Sequence, residues 1–170
     1  MENLVENISK SVAIELLFEE MPTRPTANAI FREARKIFGD INIINRDEND
    51  IEFSVDKFVA YNEDNTTSPV VLAMGNITDF DDKVAVSEFE RTQIWNVANS
   101  EELLSKYKYA VKIWDVNAQR QIPKERAIML VDWLNVALKL YPKCQAIWIK
   151  SAGKLQLAQS IKNLKETGIV

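Results

Sequence analysis

The chain has 170 residues, 46% of them hydrophobic and 27% charged, with a net charge of −4 and no histidine. That length suits one domain burying roughly 70% of its unfolded surface, and the composition is that of a globular rather than a disordered chain. Without imidazole there is no Ser-His or Cys-His nucleophile pair and no His-ligated metal site, so proton transfer would fall to carboxylates, lysine, tyrosine or backbone amides.

Ser11–Glu20 sets Val12, Ile14, Leu16 and Phe18 against Ser11, Ala13, Glu15 and Glu19, a period of two that predicts a strand. Two prolines in Met21–Pro25 make a turn. Thr26–Phe38 reads as a helix, with Ala27, Ile30, Phe31, Ala34, Ile37 and Phe38 on one face and Gly39 as its stop. Ile41–Ile44 and Ile51–Val55 predict strands around the polar turn Asn45–Asp50, and Lys57–Tyr61 extends the second. Val70–Met74 is a short apolar run suited to a buried strand. After the acidic loop Asp79–Asp82, the segment Lys83–Val97 fits no single period, although Arg91, Gln93 and Trp95 alternate as a strand would place them. Asn99 with Glu102 three residues on forms a capping-box pattern for a helix to about Tyr107. Ala110–Val116 predicts a strand, and Ile122–Tyr141 the longest helix, with Pro123 in its first turn and Pro142 beyond its end. Gln145–Lys150 follows as a strand and Ala152–Thr167 as a last helix. The expected fold is a single α+β domain over residues 1–170, with a mixed or mostly antiparallel sheet and about four helices packed on it.

No stretch approaches the ~20 apolar residues of a membrane span. Met1–Lys10 carries Glu2 and Glu6 and has no apolar run, unlike a signal peptide. Cys144, the single cysteine, has no partner for an internal disulfide. These features lead to an expectation of a cytoplasmic protein.

Charge is unevenly spread: Asp47–Glu90 holds 12 acidic and 2 basic residues, whereas Arg91–Val170 holds 6 acidic and 13 basic. One reading is solvated loops and helix faces. The other is a surface that steers a basic partner, with Asp79, Asp81, Asp82, Glu88 and Glu90 as its acidic part. Their spacing lacks the glycine and terminal Glu of a calcium loop, so no metal is expected.

Ser151-Ala152-Gly153-Lys154 stands where a phosphate loop would, but Trp148 occupies the place of its first glycine and Leu155 that of its Ser or Thr. No cofactor is expected. Arg91, Gln93, Trp95, Asp115 and Asp132 are candidates for a polar pocket, against the simpler alternative of sheet-margin pairs and salt bridges. Cys144 lacks an activating base and suits inert packing. On the long helix, Ala127, Leu130, Val131, Leu134, Ala137, Leu138 and Tyr141 form one apolar stripe, and Met129, Trp133, Val136 and Leu140 a second. A helix so apolar is either central in its own fold or covered by another chain. The second possibility makes Met129, Trp133, Val136 and Leu140 a partner or homodimer interface.

The stretches "AIELLFEEMP" (Ala13–Pro22), "RTQIW" (Arg91–Trp95), "KYAVKIWD" (Lys108–Asp115) and above all "PKERAIMLVDWLNVALKLYPKCQAIWIKSAGKL" (Pro123–Leu155) resemble a bacterial family known as domain of unknown function 4261. The resemblance implies motif positions at Arg91, Trp95, Asp115, Glu125, Arg126, Asp132 and Trp133, and no activity. The family pattern has Ser-Gly-Lys where this chain reads Ser151-Ala152-Gly153-Lys154, which weakens any role for that turn.

The expected function is a non-enzymatic protein-binding module, such as an immunity or inhibitor protein that occludes a basic partner. Two alternatives compete with it. An enzyme of unfamiliar type would need Asp115, Asp132, Glu125 and Arg91 to converge. A nucleic-acid binder would use Lys143, Lys150, Lys154, Lys162 and Lys165 near Trp148, against the overall acidity.

Overall fold

A computed structural model describes residues 11–161. Its strands are β1 (Ala13–Phe18), β2 (Ile41–Arg46), β3 (Asp50–Tyr61), β4 (Thr67–Asp79), β5 (Tyr109–Val116), β6 (Ala146–Ile149) and β7 (Lys154–Leu157). Its α-helices are α1 (Ala27–Phe38), α2 (Asp82–Ala85), α3 (Glu88–Gln93), α4 (Ser100–Lys106) and α5 (Pro123–Leu140). The fold is α+β, as expected, with a larger sheet than the sequence suggested. Seven strands run in the order β2-β3-β4-β5-β1-β6-β7, and the hairpins β2–β3, β3–β4 and β6–β7 and the pair β1–β6 are antiparallel. No helix among the described residues is long and apolar enough to cross a membrane.

The chain divides into two compact units, each assembled from separate stretches. The first contains Pro25–Asn76 and Ile113–Leu140, with residues 11–13. In it the Thr26 hydroxyl accepts from the Ala29 amide at the start of α1, and Gly39, at φ +73°, ends the helix by donating to the Arg35 carbonyl. The β3–β4 register pairs Ile51 with Met74, Phe53 with Leu72 and Val55 with Val70, which places these six buried side chains on one face. The Phe53 ring meets Phe31, Phe38 and Trp133 at centroid distances of 6.2, 6.4 and 5.2 Å. Trp133 is fully buried and donates its indole N–H to the Ala73 carbonyl at 3.1 Å.

This packing corrects the expectation for α5. Met129, Trp133 and Val136 are interior, and Leu140 is half-buried. The helix is apolar around most of its circumference because α1 covers one side and β3 lies against another. Met129, Trp133 and Val136 fill the unit's own core, and of the four only Leu140 keeps partial exposure.

The second unit contains Ile14–Arg24, Ile77–Lys112 and the chain from Tyr141 onward. Pairing of Glu15 with Trp148 and Leu17 with Ala146, and of Trp148 with Leu155, puts one row of side chains across three strands. Leu17, Ala110, Ala146, Trp148 and Leu155 form a buried cluster with Phe80, Val86, Ile94, Leu104 and Tyr107 from the segment that carries α2–α4.

Three expectations fail in this unit, the third in part. The alternation at Arg91–Trp95 is not a strand: Arg91 and Gln93 lie in the last turn of α3 and Trp95 follows it. The capping box belongs to Ser87 and Glu90, which satisfy each other's backbone amides, whereas Asn99 makes no side-chain cap. The expected helix Ala152–Thr167 is also replaced in part. After a 3₁₀ turn at Lys150–Ala152, Gly153 at φ +58° turns the chain into β7, and helical structure resumes only at Ala158. The remainder of that expected helix, past residue 161, lies outside the described residues, as does Met1–Lys10.

Candidate functional site

The segment from Asp79 to Asn96 combines rigid anchoring with outward-facing apolar side chains. Phe80, Val86 and Ile94 point into the second unit's core. Their burial fixes the backbone, and polar contacts fix it further. The Phe80 amide donates to the Lys108 carbonyl at 2.8 Å. Asp81 caps α2 by accepting from the Lys83 amide. Arg91 Nη2 reaches both the Asp82 carboxylate, at 3.0 Å, and the Asp82 carbonyl, at 2.7 Å, so α3 is tied back to α2. Lys150 pairs with Glu90 at 3.1 Å. Asn96 Nδ2 donates to the Leu155 carbonyl on β7 at 2.7 Å. A Cβ built on Gly153 would come within 3.0 Å of the Gln93 Cβ, so glycine is what lets α3 approach this turn.

With its inward positions taken, the segment presents Val84, Phe89 and Trp95 to solvent at 83%, 73% and 78% exposure. Three large apolar side chains this exposed within twelve residues are unusual for a surface that meets only water. Asp79, Asp81 and Glu88 are exposed on the same segment, while Asp82 and Glu90 are half-buried and ion-paired. Hydrogen bonds from Ser87 and then Lys150 lower the Glu90 carboxyl below its ordinary value. The five acids singled out from sequence thus separate into three that give the surface its charge and two that hold its frame.

Glu15, on β1, faces the same frame. Burial raises its carboxyl above the ordinary value, Lys112 and Lys150 oppose the shift, and Glu90 adds to it. The indole N–H of Trp148, its register partner, is buried and has no hydrogen-bond partner among the described residues.

The sequence-predicted polar pocket is divided between the units. In the first, Asp115 is fully buried and accepts from the Val12 amide at 2.9 Å and from Arg126 at 2.7 and 3.0 Å. This bidentate pair fastens the end of β5 to the start of α5 and to residue 12, a structural role. Asp132 and Glu125 are half-buried on α5 in the same unit. Arg91, Gln93 and Trp95 belong to the second unit, where Arg91 is engaged with Asp82. Trp148, grouped with basic residues as a stacking platform for nucleic acid, is buried, and Lys150 is paired with Glu90. Lys162 and Lys165 lie outside the described residues. Cys144 is buried, with its thiol on the Ala146 carbonyl. Among the described residues no three Cys, Asp or Glu side chains are grouped to hold a metal ion.

Sequence reasoning found the acids and Trp95 but missed Val84 and Phe89. Both lie in the acidic stretch two or three residues from buried Val86, and without a clear period nothing in the sequence separates the inward from the outward positions. No family model matches the chain, and no curated protein and no solved structure matches it, so the resemblance to the family of unknown function rests on the quoted stretches alone.

Proposed function

We propose that the protein is a non-enzymatic binding module that occludes or tethers a basic protein partner through Val84, Phe89 and Trp95. The exposure of these three side chains on a backbone anchored by Phe80, Val86 and Ile94 carries the reading. Aromatic anchors on a rigid support lose little entropy on binding and often dominate interface energies. Exposed Asp79, Asp81 and Glu88 supply the charge that would steer a basic surface and speed association. An inhibitor or immunity protein that covers a basic enzyme fits this arrangement. The enzyme alternative has less support, because Asp115 and Arg91 are committed to separate structural ion pairs.

The test is affinity capture with the intact chain, followed by calorimetry on the purified partner. Trp95→Ala and Phe89→Ala should each weaken binding about thirty-fold, the size of an interface hot spot near 2 kcal/mol. Asp79→Lys with Glu88→Lys should slow association and remove most of its salt dependence. A partner that binds both alanine variants as tightly as the original, or one whose contact surface is acidic, would overturn the proposal.

A further inference from the structure

Trp148 has a buried indole N–H with no hydrogen-bond partner among the described residues, which costs stability unless an acceptor comes within reach. The strand register says which group that acceptor is. Across the sheet Trp148 faces Glu15 on β1 and Leu155 on β7, and Ala146 precedes it on the same face of β6. Of these neighbours only Glu15 carries an acceptor. Directly opposed residues of an antiparallel pair set their Cβ atoms about 5 Å apart, so a carboxyl two bonds beyond its own Cβ reaches the indole edge or comes within one water of it. Glu15 is half-buried, and three charged groups face it: Lys112 on β5, Lys150 in the turn after β6, and Glu90 on α3.

We infer that Glu15 is the acceptor for the Trp148 indole N–H, directly or through one water, and that the pair forms a proton-sensitive brace beneath α3. Lys150 makes the link. It pairs with Glu90 at 3.1 Å, and Glu90 completes the capping box that opens α3 by accepting from the Ser87 amide. An ionised Glu15 draws on the same ammonium and repels the Glu90 carboxylate. A protonated Glu15 leaves Lys150 to Glu90. The two carboxyls are held on opposite sides of 4.5, Glu15 above it by burial and Glu90 below it by the Ser87 amide and Lys150. Mild acid therefore discharges the first while the second keeps its charge. As a result α3, which carries exposed Phe89, is held more firmly just above pH 4.5 than at neutrality.

Nitrogen–proton correlation NMR of the full chain, alone in solution, reads both halves of the brace. The chain has four tryptophans, and Trp148→Phe assigns the indole signal at issue. Should that variant unfold, through-space contacts to Leu155 and Ala146 assign it instead. On titration from about pH 8 to about pH 4, the Trp148 signal should move in a single step centred above 4.5. Glu15→Gln keeps an acceptor but binds no proton, and should hold the signal still. Protection of the Glu90 and Arg91 amides against hydrogen exchange should rise about twofold as Glu15 takes up its proton, the size of a partly exposed ion pair. Glu15→Gln should show the raised value already at neutral pH. A Trp148 signal that ignores pH, a step that persists in Glu15→Gln, or α3 amides equally protected in both forms overturns the inference. No partner enters these measurements, so they decide the brace without deciding the docking surface.

Discussion

Glu33 sits on α1 between Lys36, at 2.8 Å, and Lys139 of α5, at 2.6 Å, and the hydrogen bonds from Lys139 and then Lys36 pull its carboxyl from 4.5 to about 2. Glu15 experiences the reverse, since burial outweighs Lys112 and Lys150 and holds its carboxyl above 4.5. The two therefore give stability opposite responses to pH. What Glu33 contributes is fully present above pH 4.5 and disappears as the pH falls toward about 2. Glu33→Gln should lower the urea midpoint at neutral pH and match the original chain below about pH 2. Ionised Glu15 instead costs stability as the pH rises through its raised value, so Glu15→Gln should raise the midpoint at neutrality. That gain should fade below pH 4.5, where both states hold the proton. Chemical denaturation at several pH values separates the two; parallel curves for both variants would contradict the assignment.

At the scale of elements, strong periodicity made parts of the chain legible. β1 alternates through Leu16 before Leu17 breaks the pattern, and α1 and α5 each carry an apolar stripe bounded by Gly39 or Pro142, so their positions follow from sequence within a residue or two. The far ends of β3 and β4 differ in this respect. Lys57–Tyr61 is legible as the extension of β3, but Thr67–Pro69, which pairs with Val59–Tyr61 past a register shift between Val55 and Val59, carries no apolar run to mark it. The segment from Lys83 to Val97 is least legible, because helices of four and six residues are too short to show a stripe and owe their form to caps and to buried Val86 and Ile94. The sequence suggests a capping box only at Asn99–Glu102, whereas the structure places the box at Ser87–Glu90. Ser87→Ala should therefore destabilise by about 1 kcal/mol, as loss of an N-cap does. Asn99→Ala should have a much smaller effect, since Asn99 makes no side-chain cap. Equal losses in thermal melts would show that the box does not stabilise α3. The position of the proposed docking surface depends on the same packing, which is why its acids and Trp95 stand out in the sequence and Val84 and Phe89 do not.

Among the described residues the sheet has two outer strands, β2 and β7, and outer strands pose a problem of unwanted pairing. β7 is only four residues long, and Asn96 already occupies the Leu155 carbonyl. β2 is longer and exposes Ile43 and Ile44, but its pairing with β3 shifts register between Ile43 and Asn45. The extra residue bends the strand and spoils the regular ladder that another chain would need. Removing Ile44 would straighten that rim and present an uninterrupted run of unpaired amides and carbonyls. Such a deletion variant should assemble into thioflavin-positive fibres at concentrations where the original chain scatters no light. On this prediction one surplus isoleucine is a safeguard: the irregularity that looks like a flaw in the weave would keep crowded copies from knitting together.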